Sequence, residues 1–287
     1  GNRGVSLPAS RSYHYLPESA LDLGTNLQQL VDNPYAAIVR TGPLAQARVT
    51  RGTLLAYFPQ FTGASGLDSW ADSIYHAATL RVEKRFSSRL SLLASYTFSK
   101  LIDNNLGNGS NNFADGGSNS VQNWDNLRSE RAVSTSDLPQ RLVVTGSYEI
   151  PFAKNANRIL RTALAGWSLN PILTLQSGNV ISVTANAPAF GGSRPNVVGN
   201  PTLDHPTIDL WLNRQAFEPI QAFTYGNAPR NLPRTRTDGL QSLDLSVLKN
   251  FKIQERYTLQ LRGEFFNVTN TPTFGNPATN ITAANFG

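Results

Sequence analysis

The chain has 287 residues, of which 40% are hydrophobic, and its mean hydropathy is −0.28. It has no stretch that approaches the roughly 18 apolar residues of a membrane-spanning helix, so a helical membrane protein is excluded. The absence of cysteine excludes disulfide bridges and thiolate metal sites within these residues. The net charge is +6, but the basic residues are scattered along the chain, so we expect no nucleic-acid partner.

The N-terminal quarter carries little periodicity. We expect a strand end around residues 3–7 and a long connection over residues 16–73. Apolar residues between positions 21 and 31 have helical spacing, which predicts a short amphipathic helix inside that connection. Pro34 ends this helix, because the residue before a proline avoids the α region.

The rest of the chain contains six segments in which apolar and polar residues alternate. In the clearest of them, apolar residues at every second position alternate with Ser and Thr, which places all apolar side chains on one face of a strand. These apolar residues are Leu90, Leu92, Ala94, Tyr96 and Phe98. The six predicted strands lie near 74–86, 90–102, 140–150, 166–184, 241–252 and 257–270. Pro171 predicts a bulge or local break, because proline cannot donate to the ladder.

Short and long connections alternate strictly between these segments. The short ones lie near 87–89, 151–165 and 253–256, and the long ones over 16–73, 103–139 and 185–240. A soluble β-sandwich also alternates along its strands, but it does not explain why all long loops are sorted to one end. In bacterial outer-membrane barrels the long loops are extracellular. We therefore expect an all-β fold: an antiparallel transmembrane β-barrel wall with long extracellular loops, located in the bacterial outer membrane.

Charged residues occupy the polar faces of the first and last hairpins. A basic side chain that faces lipid at the bilayer midplane costs roughly 2–4 kcal/mol, so we expect these residues to line a water-filled lumen. Opposite charges on neighbouring strands would pair there. A catalytic cluster is the less favoured interpretation. The candidate lumen-lining residues are Arg81, Glu83, Arg85, Arg262 and Glu264.

Aromatic residues beside Asn and Asp occur in the long loops, a pattern that suits the capture of a sugar or a peptide. The alternative is that these rings only pack the loops onto each other. The candidate extracellular ligand contacts are Phe113, Trp124, Trp211, Phe217 and Tyr225, and Phe223 has the same pattern.

No motif predicts catalysis or a cofactor. The three histidines are His14, His76 and His205, and they have no metal-ligand spacing. The acidic segments at 103–105 and 114–117 lack the ordered ligand series of a calcium loop. The chain also contains no nucleophile elbow, phosphate loop or zinc pattern. We expect a protein that is not an enzyme and binds no cofactor.

A set of fragments running in order along the chain resembles the C-terminal half of the barrel in TonB-dependent outer-membrane transporters. The closest resemblance is to the Oar-like type, which has a carboxypeptidase-regulatory-like N-terminal domain and is abundant in acidobacteria. The matching fragments are SIYHA (73–77), LRVEKRF (80–86), ASYTFSK (94–100), NLRSER (126–131), YEIPF (148–152), GW (166–167), QSG (176–178), RPN (194–196), LDLS (243–246), KNF (249–251), RGEFFN (262–267) and FGN (274–276).

The resemblance implies transport of a large nutrient, energised through TonB, with a plug inside a 22-stranded barrel. Residues 1–287 would be one part of that barrel, about six to eight strands of the larger wall, and would contain no plug domain. We expect an internal piece of a longer protein that forms no stable pore alone, because its two sheet edges would be unpaired.

The expected partners are outer-membrane lipid, the TonB complex (through an N-terminal plug) and an extracellular oligosaccharide, peptide or chelate. One alternative function is a passive porin or a surface adhesion or structural protein built on the same wall. A second alternative is a soluble β-sandwich binding module.

Overall fold

The computed structural model describes residues 1–61, 63–104, 121–151, 165–253 and 257–287. Within them the chain forms strands β1 (Asn2–Ser12), β2 (Leu30–Asp32), β3 (Arg48–Thr50), β4 (Ser65–Ser87), β5 (Leu90–Asp103), β6 (Ala132–Val133), β7 (Gln140–Glu149), β8 (Trp167–Gln176), β9 (Asn196–Val197), β10 (Phe217–Glu218), β11 (Leu240–Ile253) and β12 (Tyr257–Phe265). One α-helix spans Arg51–Leu55, and 3-10 segments span Glu18–Gln28, Pro43–Ala45, Leu127–Glu130 and Arg214–Ala216. No helix in these ranges has the length and apolarity needed to cross a membrane.

One antiparallel sheet dominates the fold. Its strand order is β1-β4-β5-β7-β8-β11-β12, and β6 pairs with the end of β5. In the described residues the sheet does not close, so β1 and β12 are its two edges. Two small two-stranded sheets, β2–β3 and β9–β10, lie in the connections. The all-β antiparallel prediction is confirmed.

The register joins the apolar sides of the separate strands into one continuous face. Val82 lies opposite Ala94, Ala94 opposite Val144, Val144 opposite Leu173, and Leu173 opposite Leu243. Directly opposed residues in antiparallel strands point to the same side of the sheet. The period-two pattern of each strand is therefore in phase with its neighbours across the whole sheet.

This apolar face is uncovered. Leu259 and Leu261 on β12 are 52% and 57% exposed, and Leu80 on β4 is 64% exposed. A β-sandwich would bury one such face beneath a second sheet. A large exposed apolar surface of this kind marks a face that contacts an apolar partner.

Pro171 lies inside β8 without shifting its register. It pairs with Leu245 of β11, but the pairing with β7 omits Gly146 and Ser147. The register on both sides of the gap is the same, so the structure has a local break in the ladder and no bulge. A Cβ added to Gly146 would lie 3.7 Å from Cγ of Pro171, which is ordinary van der Waals contact.

The main differences from the sequence expectation concern element bounds. The predicted helix is a 3-10 segment interrupted at Gly24, whose φ of 52° is left-handed, and Val31 belongs to β2. β4 begins at Ser65, within the expected connection, because its first part pairs with β1 as far as Ser12. β8 ends at Gln176, short of the expected residue 184, and β12 ends at Phe265, short of the expected residue 270.

Residues 121–139, 177–239 and 277–287 fold together at the long-loop end of the sheet, and we call them the loop layer. Its interior is a hydrophobic cluster of buried side chains drawn from the second and third of these segments. The cluster comprises Ile181, Val183, Ala185, Leu212, Ala216, Phe217, Ile220, Ala228, Leu232, Ile281 and Phe286. The long loops thus carry a core of their own.

Candidate functional site

The three candidate lumen residues of β4 form a short charged ladder. Arg81, Glu83 and Arg85 lie on the face of β4 opposite to Leu80 and Val82. The Glu83 carboxylate forms two ion pairs: Oε2 lies 3.3 Å from Nη2 of Arg81, and Oε1 lies 3.7 Å from Nε of Arg85. All three side chains are exposed, so the pairs are solvated and contribute little to stability.

The charged pair of β12 lies elsewhere in the sheet. Arg262 and Glu264 form an ion pair with each other, and β5, β7, β8 and β11 separate their strand from β4. Arg262 lies opposite Leu248, and Glu264 opposite Ser246. The expectation that opposite charges pair between neighbouring strands is therefore wrong here, because the cross-strand neighbours are uncharged. The pairs run along single strands.

The loop aromatics fall into two groups. Phe217 is buried in the loop-layer core, where it meets Phe286 edge-on at 5.6 Å between ring centroids. Trp211 is half-buried, packs against the same core, and donates from its indole N–H to the carbonyl of Arg236 at 2.7 Å. The candidate Phe113 lies outside the described residues.

Trp124 and Tyr225 belong to the second group, around Tyr15. The Trp124 ring is buried, 6.4 Å from the ring of Tyr15 and 5.3 Å from that of Trp70. The Tyr15 hydroxyl donates to Asp125 at 3.1 Å. Burial, together with this bond to Asp125, raises the pKa of the Tyr15 phenol. Burial also raises the pKa of Tyr225, and the nearby carboxylates of Glu18 and Asp125 add to that rise.

Sequence reasoning missed a set of buried ion pairs that tie the loop layer to the sheet. Asp103, at the end of β5, is fully buried and pairs with Arg230. Arg230 also donates to the backbone carbonyls of Glu130 at 3.3 Å and of Asp103 at 3.2 Å. One guanidinium therefore joins the sheet to two segments of the loop layer.

Two further buried pairs lie in the same region, one within the loop layer and one that also reaches the sheet. Buried Glu130 pairs with Arg194, whose pKa is lowered by burial although Glu130 opposes the shift. Buried Asp137 pairs with Arg236, and with Lys100 of β5 at 3.5 Å. The sequence contains these charges but gives no indication of which loops meet.

Among the residues that the structure describes, no group of three or more His, Cys, Asp or Glu side chains is arranged to hold a metal ion.

A family model described as "Outer membrane beta barrel domain" matches residues 1–287. The chain belongs to this family. The outer membrane beta barrel domain is located in the bacterial outer membrane, where it associates with lipid. No curated protein and no solved structure matches the chain.

The apolar face of the outer membrane beta barrel domain contains a lysine whose placement is compatible with lipid. Lys249 lies between Trp167 and Leu261 in the register of that face, yet it is almost completely buried. Its ammonium donates to the carbonyl of Ala165 and lies 5.4 Å from the Trp167 ring and 5.0 Å from the Phe251 ring. Aromatic rings and a carbonyl thus compensate the charge, which limits its cost in an apolar setting.

Proposed function

We propose that this chain is part of the wall of a TonB-dependent transporter that imports a large nutrient across the outer membrane. The observation that carries the proposal is the sheet of eight strands with two unpaired edges, β1 and β12. In hydrocarbon each unpaired backbone group costs several kcal/mol. In this proposal further strands complete the wall, as they do in the 22-stranded outer-membrane transporters, whose lumen is plugged. The ordered resemblance along the chain supports the same conclusion.

In this proposal the two faces of the sheet have different solvents. The apolar face meets lipid, and the charged ladders of β4 and β12 face the lumen, where water solvates them. The loop layer lies on the extracellular side, because short turns are periplasmic in bacterial barrels. Its buried ion pairs hold the loops over the mouth of the barrel, where the nutrient first binds.

The test is genetic and uses the complete protein in its host. Strains lacking the gene, lacking TonB, or lacking both are grown on oligosaccharides, peptides or iron chelates as sole nutrient sources. We expect one class of nutrient on which the gene deletion and the TonB deletion cause the same defect, with no added defect in the double deletion. Uptake through this protein that continues without TonB would contradict the proposal and support a passive porin.

A measurement on the purified protein gives an independent check. A plugged transporter in a planar bilayer shows no steady conductance, whereas a porin shows discrete open channels. We expect the complete protein to be closed, and stable open channels would contradict the proposal.

A further inference from the structure

An open cavity of about 230 Å³ lies between the loop-layer segment 177–239 and residues 274–277, which follow β12. Trp211, Phe274, Asp238 and Asn276 are among its lining residues. We propose that this cavity binds one ring of an oligosaccharide. The proposal rests on the proposed function and names the substrate class for it.

The apolar wall of the cavity is held in place. Two bonds orient Trp211: its indole N–H donates to the carbonyl of Arg236, and its backbone N–H donates to the carbonyl of Gly287. Trp211 packs on the loop-layer core and also lines the cavity. Phe274 supplies a second ring and is 41% exposed. A fixed indole beside an exposed phenyl gives a platform for the C–H face of a sugar ring.

The polar groups of the cavity have unused hydrogen-bonding capacity. Asp238 is half-buried and accepts one bond, from the N–H of Gly239 to Oδ1 at 2.9 Å. Its carboxylate forms no ion pair with any described residue, and its Oδ2 forms no hydrogen bond with them. The amide of Asn276 is exposed and makes no hydrogen bond within the described ranges either. A ligand therefore finds one free carboxylate oxygen and a free amide.

This combination matches hydroxyl groups better than it matches a cation. A hydroxyl both donates and accepts, so neighbouring hydroxyls of one ring can donate to Asp238 and accept from the amide of Asn276. An ammonium group only donates, so it would use Asp238 and the carbonyl oxygen of Asn276 and leave the NH₂ of Asn276 without a partner. The chain as a whole carries a net charge of +6, which further disfavours a cationic ligand.

The size of the cavity sets how much of the ligand it holds. Its volume is below the roughly 300–1,000 Å³ of pockets for drug-sized ligands, so it suits a single ring. Because the cavity is open and Ile208 on its wall is 70% exposed, the remaining units of a chain can extend into solvent. The site would hold one unit of a longer neutral glycan.

The test is calorimetric titration of the complete protein in a polyoxyethylene detergent, which contains no sugar. The probes are cellopentaose, xylopentaose, maltopentaose and chitopentaose, with choline as the cationic probe. The variants are Phe274→Ala and Asp238→Asn, which keeps the acceptor for Gly239. The matched control is Phe266→Ala, because Phe266 is exposed and lies outside the cavity.

We expect at least one pentasaccharide to bind saturably. Phe274→Ala and Asp238→Asn should each raise its Kd at least about tenfold, whereas Phe266→Ala should leave it within about twofold. If Asp238→Asn does not fold, as judged by heat-modifiable migration in gels, the exposed variant Asn276→Ala takes its place. Binding of no pentasaccharide, equal binding by all variants, or binding of choline alone would overturn the proposal.

The two proposals fail separately. Titration needs no TonB, so TonB-independent uptake would overturn the transport mechanism and leave sugar binding intact. Absence of sugar binding would overturn the ligand class and leave the growth test of TonB dependence unaffected.

Discussion

The ion pair between Arg230 and Asp103 gives the sharpest prediction about the loop layer. In Arg230→Met the guanidinium is replaced by an apolar side chain of similar length, while the carboxylate of Asp103 stays behind. We expect the loop layer to open far more often in this variant, because a buried negative charge is left without its partner.

The magnitude follows from the burial of the pair. The Asp103 side chain is fully buried and that of Arg230 is 6% exposed, so water does not replace the lost bond. Oδ2 of Asp103 has no hydrogen-bond partner even in the intact pair. Removing one partner of a buried pair costs about 3–5 kcal/mol. Neutralising the other partner as well, in Arg230→Met/Asp103→Asn, should restore most of that stability.

Thiol labelling measures the opening directly, because the chain has no cysteine of its own. Ala228→Cys places one thiol in the loop-layer core, where the native side chain is 3% exposed. The rate of maleimide labelling at this position, read by mass spectrometry, reports the open fraction. A cost of about 3–5 kcal/mol corresponds to labelling that is roughly 140- to 3,700-fold faster.

Arg234→Gln is the control, because Arg234 is exposed and belongs to the same segment. We expect this control to label at the wild-type rate and the double variant to label within about tenfold of it. The reasoning is refuted if Arg230→Met labels no faster than Arg234→Gln, or if the double variant labels as fast as Arg230→Met.

Two further predictions concern backbone fit and pH. A Cβ at Gly178 would overlap the carbonyl oxygen of Thr237, so Gly178→Ala should lower the free energy of unfolding by about 1–3 kcal/mol or more, the cost of overpacking, and so lower the urea midpoint. The control Gly63→Ala places its Cβ in open space and should leave the urea midpoint unchanged. Equal midpoints for the two variants would show that position 178 tolerates a side chain. The pKa of Tyr15 is raised above 10.0 in the folded state, so its stabilisation is complete below that value and is lost as pH rises through the folded pKa. Between about pH 9 and about pH 11 the Tm should fall more in the wild type than in Tyr15→Phe, and an equal fall would contradict that assignment.

The sheet could be predicted because the strand signal is local. Alternation within each segment fixes which side chains share a face, and the register then brings those faces into phase. Leu259 and Leu261 are exposed on the face that their alternation predicted. The lumen assignment of Arg262 and Glu264 remains a prediction, because it depends on a closed wall.

The loop layer could not be predicted, because its contacts join segments that are distant in sequence. Ile181 and Val183 are in phase with the alternation of β8 and lie in the part of the predicted strand beyond residue 176. In the structure they leave the sheet and enter the loop-layer core. The partners of buried Glu130 are equally distant, since Arg194 lies in another loop. Residue types were visible in the sequence, but their pairing was not.

The central claim is that one face of these strands meets hydrocarbon and the other meets water. Single cysteines at positions 259, 260 and 261 of β12 test it, with a fluorophore attached to the complete protein in lipid vesicles. The fluorescence of labels at Leu259→Cys and Leu261→Cys should be quenched by lipids brominated in their acyl chains. The fluorescence of the label at Gln260→Cys should be quenched only by aqueous iodide. Equal quenching at all three positions, or the reverse pattern, would contradict the account.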